Sequence, residues 1–167
     1  MKKIKSNIAL LFFFALATVS FVACEDEGYD EYGQGGVQLE SMSGEWYITI
    51  SDEATGDVLV EHAYHETYDT NEGNNTMIID DHQTGWYLKG LINVNPADHS
   101  FTVTDEENQN DPGTTFSISE GKILKRAAHS PTGAVVDSIY FKGTFSYDPE
   151  STLIFSGYKR TGFIEEE

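Results

Sequence analysis

Several groups of residues carry side chains that could do chemistry. Asp137-Ser138 sets a carboxylate beside a hydroxyl, the beginning of a hydrolytic relay if a histidine from elsewhere joins them. Alternation places Asp137 on the face of Ile139 and Phe141, where a carboxylate needs a partner or takes a raised pKa. A strand-end carboxylate hydrogen-bonded to the surrounding wall fits the same pattern. Asp80-Asp81-His82 lies in a turn between apolar runs and offers oxygen and imidazole donors to a divalent ion. A solvated turn would carry the same residues.

Ser119-Glu120-Gly121-Lys122 and Ser156-Gly157-Tyr158-Lys159 both match S-x-x-K. That spacing brings serine and lysine together on a helical turn, whereas here one match falls in a predicted hairpin and the other in a predicted strand. His62 and His65 point to opposite faces of a strand and stand about 10 Å apart along it, so they cannot share an ion. His62 and Glu66 share a face but lie about 13 Å apart. Asp105 to Asp111 has the composition of a calcium loop, yet Asn110 stands where an EF-hand requires glycine. With no G-x-S-x-G elbow either, the residues point to no metal, no cofactor and no defined nucleophile.

Aromatic residues say more. The chain has two Trp, nine Tyr and ten Phe. Trp46, Tyr64, Trp86, Phe101, Phe141, Phe145 and Phe155 fall on the dry parity of their segments and are the candidate lining of a cavity for an acyl chain or another apolar ligand. The same residues would equally fill a small barrel.

The elements that hold these side chains are short strands. From Gly44 onward apolar residues recur with period two, broken every eight to twelve residues by Gly, Pro, Asn and Asp clusters. Strands are predicted at 44–50, 58–68, 76–80, 86–94, 101–104, 114–118, 122–127, 135–147 and 152–158. Trp46, Ile48 and Ile50 share one face, as do Val60, His62 and Tyr64, then Trp86, Leu88, Ile92 and Val94. Tight turns are expected at Ser119-Glu120-Gly121, Asn95-Pro96-Ala97-Asp98, Ser130-Pro131-Thr132-Gly133 and Tyr147-Asp148-Pro149-Glu150. An antiparallel run of eight or nine strands removes its edges by closing into a barrel.

The start of the chain reads differently. Lys2, Lys3 and Lys5 precede an apolar run from Ile8 to Val22, the layout of a secretory leader. Phe21-Val22-Ala23-Cys24 resembles a bacterial lipobox, with Phe21 at the place commonly held by Leu. The resemblance implies a signal peptide over 1–23, acylation of Cys24 and stable membrane tethering, since two lipid chains suffice for it. Residues 24–40 then form the lipidated cysteine and an acidic linker too poor in aliphatics to fold, and 41–167 form one domain. The acidic triplet after Cys24 resembles an export signal to the outer face of the outer membrane, with the periplasmic face as the alternative. Loss of the leader removes three bases and no acid, leaving 7 basic against 28 acidic side chains, near −21. Such a field excludes nucleic acid as a partner. With its only cysteine acylated, the domain contains no disulfide.

Gly44-Glu45-Trp46 at the first strand and Lys159-Arg160 at the last resemble the lipocalin and wider calycin arrangement, in which a basic side chain caps the tryptophan at the closed end. That resemblance assigns the cap to Arg160, or failing that Lys159. Glu66-Thr67-Tyr68-Asp69-Thr70, Met77-Ile78-Ile79-Asp80-Asp81, Gly121-Lys122-Ile123-Leu124, the run Gly133 to Ile139 and the ending Ser156 to Phe163 are similar to the lipid-binding putative hydrolase family of bacterial lipoproteins. The resemblance implies a calycin-like antiparallel barrel with an apolar cavity and carries over no catalytic residue. The expected function is binding of a lipid or small apolar ligand by a membrane-tethered barrel. An esterase-like hydrolase and a non-catalytic module of an envelope complex are the alternatives; protein partners are not specified.

Overall fold

The computed structural model of the protein describes residues 37–163. The leader, Cys24 and most of the acidic linker lie outside the described residues. A single helical turn, α1 (Val37–Glu40), leads into eight strands: β1 (Gly44–Asp52), β2 (Val58–Asp69), β3 (Thr76–Asp80), β4 (Lys89–Asn95), β5 (Ser100–Glu107), β6 (Thr115–His129), β7 (Val135–Phe145) and β8 (Asp148–Lys159). Each pairs antiparallel with the next, and β8 returns to β1, from Trp46 opposite Lys159 to Asp52 opposite Leu153. The sheet is a closed up-and-down barrel. Its loops therefore fall at two ends: α1 at one, and the β1–β2, β3–β4, β5–β6 and β7–β8 connections at the other.

Two predicted strands are one. The expected hairpin at Ser119-Glu120-Gly121 is a bulge inside β6, where Glu120 takes a φ of 56° and the pairing with β7 skips from Ser119 to Lys122. His62, Asp105 and Arg126 also adopt left-handed φ values inside strands, each where the register shifts. Such bulges sharpen the coiling of a closed sheet. Two of the bulged amides are satisfied by side chains: Asp105 N–H donates to Ser117 Oγ at 3.0 Å and Arg126 N–H to Asp137 Oδ1 at 2.9 Å.

A bulge also reverses parity downstream of it. In β2 the shift between Val60 and Ala63 turns Ala63, His65 and Thr67 inward and leaves His62 and Tyr64 outside, contrary to the alternation expected from Val60. Further strand boundaries move: β4 begins at Lys89 rather than 86, and the last hairpin turns at Ser146-Tyr147, so Asp148 already begins β8. Leu39, just before residue 41, is buried in the core beside Met42.

The interior carries closely packed aromatic rings. Phe141 and Phe155 stack at 4.4 Å with Phe101 edge-on to Phe141 at 5.7 Å. Rings occupy the space left by inward glycines of other strands: a Cβ on Gly90 would stand 2.7 Å from Phe116, one on Gly121 2.5 Å from the Phe101 ring, and one on Gly143 2.9 Å from Phe155. Large and small residues alternate around the lumen to fit it.

α1 seals one end. Leu39 and Met42 sit against the core, and the Met42 carbonyl accepts from Thr67 Oγ1 at 2.8 Å, which in turn accepts from Trp46 Nε1 at 3.0 Å. The cation at Trp46 is Lys159, 5.8 Å from the ring centroid, with its ammonium donating to the Ser43 carbonyl at 3.1 Å. Arg160, the first choice of the sequence argument, instead pairs with Glu45 at 2.7 Å and lies 5.9 Å over Tyr64 on the outer face. Register explains the exchange: Lys159 is opposite Trp46 and shares its parity, while Arg160 follows Glu45. Lys159→Ala should cost about 1–2 kcal/mol in urea unfolding, from lost cation–π attraction and stem packing, and Arg160→Ala less.

Candidate functional site: the mouth of the barrel

The opposite end is closed by the β3–β4 loop, residues 81–88, rather than by a helix. β3 pairs with β2 only from Glu66 to Asp69, so the Val58 half of β2 has no β3 partner beside it. The loop fills that place. Thr84 Oγ1 donates to the Tyr64 carbonyl at 2.9 Å, and Gly85 lies inward, where a Cβ would meet His65 at 3.0 Å, Asp81 at 3.2 Å and Ile50 at 3.2 Å.

Asp81 holds this loop. Fully buried, it accepts from Trp86 N–H at 2.6 Å, Gln83 N–H at 2.9 Å and the Asn110 side-chain amide at 3.1 Å. The Asn110 amide also approaches Asp80 at 3.4 Å, so the space a cation would take between the two carboxylates contains a hydrogen-bond donor. Asp80 pairs with Lys89 at 2.7 Å and accepts from His82 N–H, while the His82 ring turns to Glu66 at 3.1 Å. Burial pushes the Asp80 carboxyl up, but Lys89 and the His82 amide outweigh it and its pKa is lowered. Asp80, Asp81 and His82 thus do not converge on one point. Their adjacency in sequence suggested a metal site; their partners make a loop latch.

Asp137 and Ser138 are at the far end from this loop. Burial pushes the Asp137 carboxyl up, but Lys125 at 2.9 Å and the Arg126 amide hold it lowered, the reverse of the raised pKa considered from the sequence. Lys125 also donates to the Ser41 carbonyl, tying the segment after α1 to β6 and β7. Asp137 is therefore a bulge cap and an anchor for the plug.

The candidate cavity residues separate into three groups. Trp46 belongs to the plugged end, and Phe101, Phe141 and Phe155 are the stacked filling. Tyr64 is outside, where burial under Arg160 together with the charges of Glu45 and Glu66 pushes its hydroxyl up to about 12. Trp86 and Phe145 reach the mouth. There they line a cleft of about 200 Å³ with Asp52, Leu59, Tyr147, Asp148, Ser151 and Leu153. Trp86 packs on the core from above, and Phe145 stacks on Tyr147 at 5.5 Å. Leu59 and Tyr147 remain 45% and 53% exposed, so the apolar surface of the cleft continues to solvent. Periodicity could find Trp86 and Phe145 but not Leu59 or Tyr147, which a bulge and a turn place at the rim.

His65 is the unexpected residue. It is fully buried under Gly85; Nδ1 meets the Ala63 carbonyl at 3.1 Å, and Nε2 has no hydrogen-bond partner among the described residues. Burial drives its pKa below the usual imidazole value, against the opposing pull of the Ala63 carbonyl, Asp81 and Asp80.

The sequence model of the family described as lipid-binding putative hydrolase matches residues 31–164. A search of curated proteins finds no match.

His65 makes stability depend on pH. Its folded pKa is lowered, so the unfolded chain binds the proton first and stability is complete only above the unfolded value of about 6.5. It is lost as pH falls from there toward the folded value, with a slope of at most about 1.4 kcal/mol per pH unit. Asp80 and Asp137 act only near and below pH 4, since their carboxyls start from 3.8. Urea midpoints measured from pH 7 to pH 4.5 should fall in the wild type and stay nearly level in His65→Leu.

Proposed function

The chain belongs to the lipid-binding putative hydrolase family, and from that membership and the mouth geometry we propose that it binds a lipid or another small apolar molecule at the β3–β4 loop, without chemistry. The observation that carries the reading is the cleft beneath Trp86: apolar, continuous with the core, and open to solvent through Leu59 and Tyr147. At about 200 Å³ it is smaller than the 300–1,000 Å³ usual for drug-sized ligands. It therefore seats one end of a lipid as it stands, and a longer chain requires the loop to lift.

Tethering through Cys24, export, and display at the outer membrane surface complete the proposal. The support for them is the leader and the Ala23-Cys24 junction in the sequence.

Two measurements test this reading. N-phenyl-1-naphthylamine, a neutral apolar probe, should bind at one site with energy transfer from Trp86, and Trp86→Ala should weaken binding about ten-fold or more. An unchanged affinity in that variant would remove the mouth as the site. Cys24→Ser should move the protein from the membrane to the soluble fraction and abolish incorporation of labelled palmitate; persistent labelling would place the acyl chain elsewhere.

A further inference from the structure

Resting on the mouth as the ligand site, we infer that the cleft selects amphiphiles with a cationic head, such as a lipid amine or alkylammonium, and disfavours free fatty acids. Its charged lining residues are Asp52 and Asp148, with no lysine, arginine or histidine among them. The Thr55 amide, donating to Asp52 at 2.7 Å, and next the Thr55 hydroxyl hold the Asp52 carboxyl below its usual value, so it is ionised at neutral pH. Asp148 has no ion-pair partner among the described residues. Asp111 adds a third charge: burial raises the Tyr147 hydroxyl's pKa, the Trp86 indole opposes it, and Asp111 and Asp148 raise it further.

Nearby cations are already engaged. Lys142 bridges Glu53 at 2.9 Å and Glu120 at 2.7 Å, and Lys89 is bound to Asp80. A carboxylate head entering the cleft would thus meet negative charge with no compensating base, in the field of a chain whose formal charge is −18. An ammonium head would meet carboxylates and the aromatic rings of Trp86 and Tyr147, of a kind that attracts cations through the ring quadrupole. The buried apolar side chains of Phe145 and Leu153, with Leu59 at the rim, take the first part of the tail.

The test is calorimetric titration of the full chain with decyltrimethylammonium, decanoate and decanol, each below its micelle concentration, at low and at physiological salt. The ammonium should bind at one site at least about ten-fold more tightly than decanoate, and salt should narrow the gap. Asp148→Asn should reduce the preference to about three-fold or less while decanol affinity is unchanged. Asp52→Asn, read in the same way, is the second variant; Asp69→Asn, at the plugged end, should leave the preference intact. Equal or tighter binding of decanoate overturns the inference. So does a preference that survives in the Asp52→Asn, Asp148→Asn double variant, because it then belongs to the general acidic surface. Decanol binding without head-group preference defeats this inference alone, whereas failure of all three probes to bind defeats the mouth as a ligand site.

Discussion

Closing eight strands on themselves leaves an interior just wide enough for side chains, and every other feature of this protein answers that constraint. The strands must bend, and residues in left-handed conformation at His62, Asp105, Glu120 and Arg126 supply bends where the register shifts. The lumen takes large rings only where small residues make room, and Phe101, Phe116 and Phe155 lie on inward glycines. Closure itself depends on one close approach: a Cβ on Gly157 would stand 2.1 Å from the Tyr47 carbonyl, so the β8–β1 seam forms only because that side chain is absent.

The two ends of the barrel are built from different chemistry. The plugged end uses cations: Lys159 over Trp46 and on the Ser43 carbonyl, Lys125 between Asp137 and the Ser41 carbonyl. These contacts fix α1 and its apolar side chains to the barrel. The mouth uses carboxylates: Asp81 inside as a hydrogen-bond acceptor, Asp52 and Asp148 at the surface beside aromatic rings. Lysines thus fix the plug through backbone carbonyls and Asp137, while the mouth displays Asp52 and Asp148 at its surface.

The all-β class, barrel closure and most of the inward parity were legible in the sequence, because period-two alternation reports directly which face is dry. Trp46, Ile48, Ile50, Ile139, Phe141 and Phe145 are buried as the alternation requires. The pattern misled where a bulge inserts a residue, since the insertion leaves no compositional mark. Tyr64 was therefore assigned to the interior and His65 to the wrong face. Ser119-Glu120-Gly121 has turn chemistry, and the left-handed Glu120 uses it, but to bend a strand that continues. The order of Lys159 and Arg160 followed from a register that sequence does not contain. Asp80-Asp81-His82 was visible as a chemical cluster; that Asn110 would come from another loop and occupy its centre was not.

The latch shows why the mouth, and not the barrel wall, is the part that can respond to a ligand. Strand ladders and stacked rings form one cooperative unit that local opening would break at many points. The β3–β4 loop is tied to the barrel by the Thr84 hydroxyl on the Tyr64 carbonyl, the Asn110 amide on Asp81, the His82–Glu66 contact and buried Leu88, while Asp81 braces it from within through Gln83 and Trp86. Beneath it His65 keeps a buried nitrogen without a partner, an arrangement that costs about 1–3 kcal/mol in the closed state. Lifting the loop would admit water to that nitrogen and recover part of the cost, offsetting the hydrogen bonds lost at Asp81. A ligand that binds under Trp86 would select a lifted loop only by as much as it binds that state more tightly than the closed one.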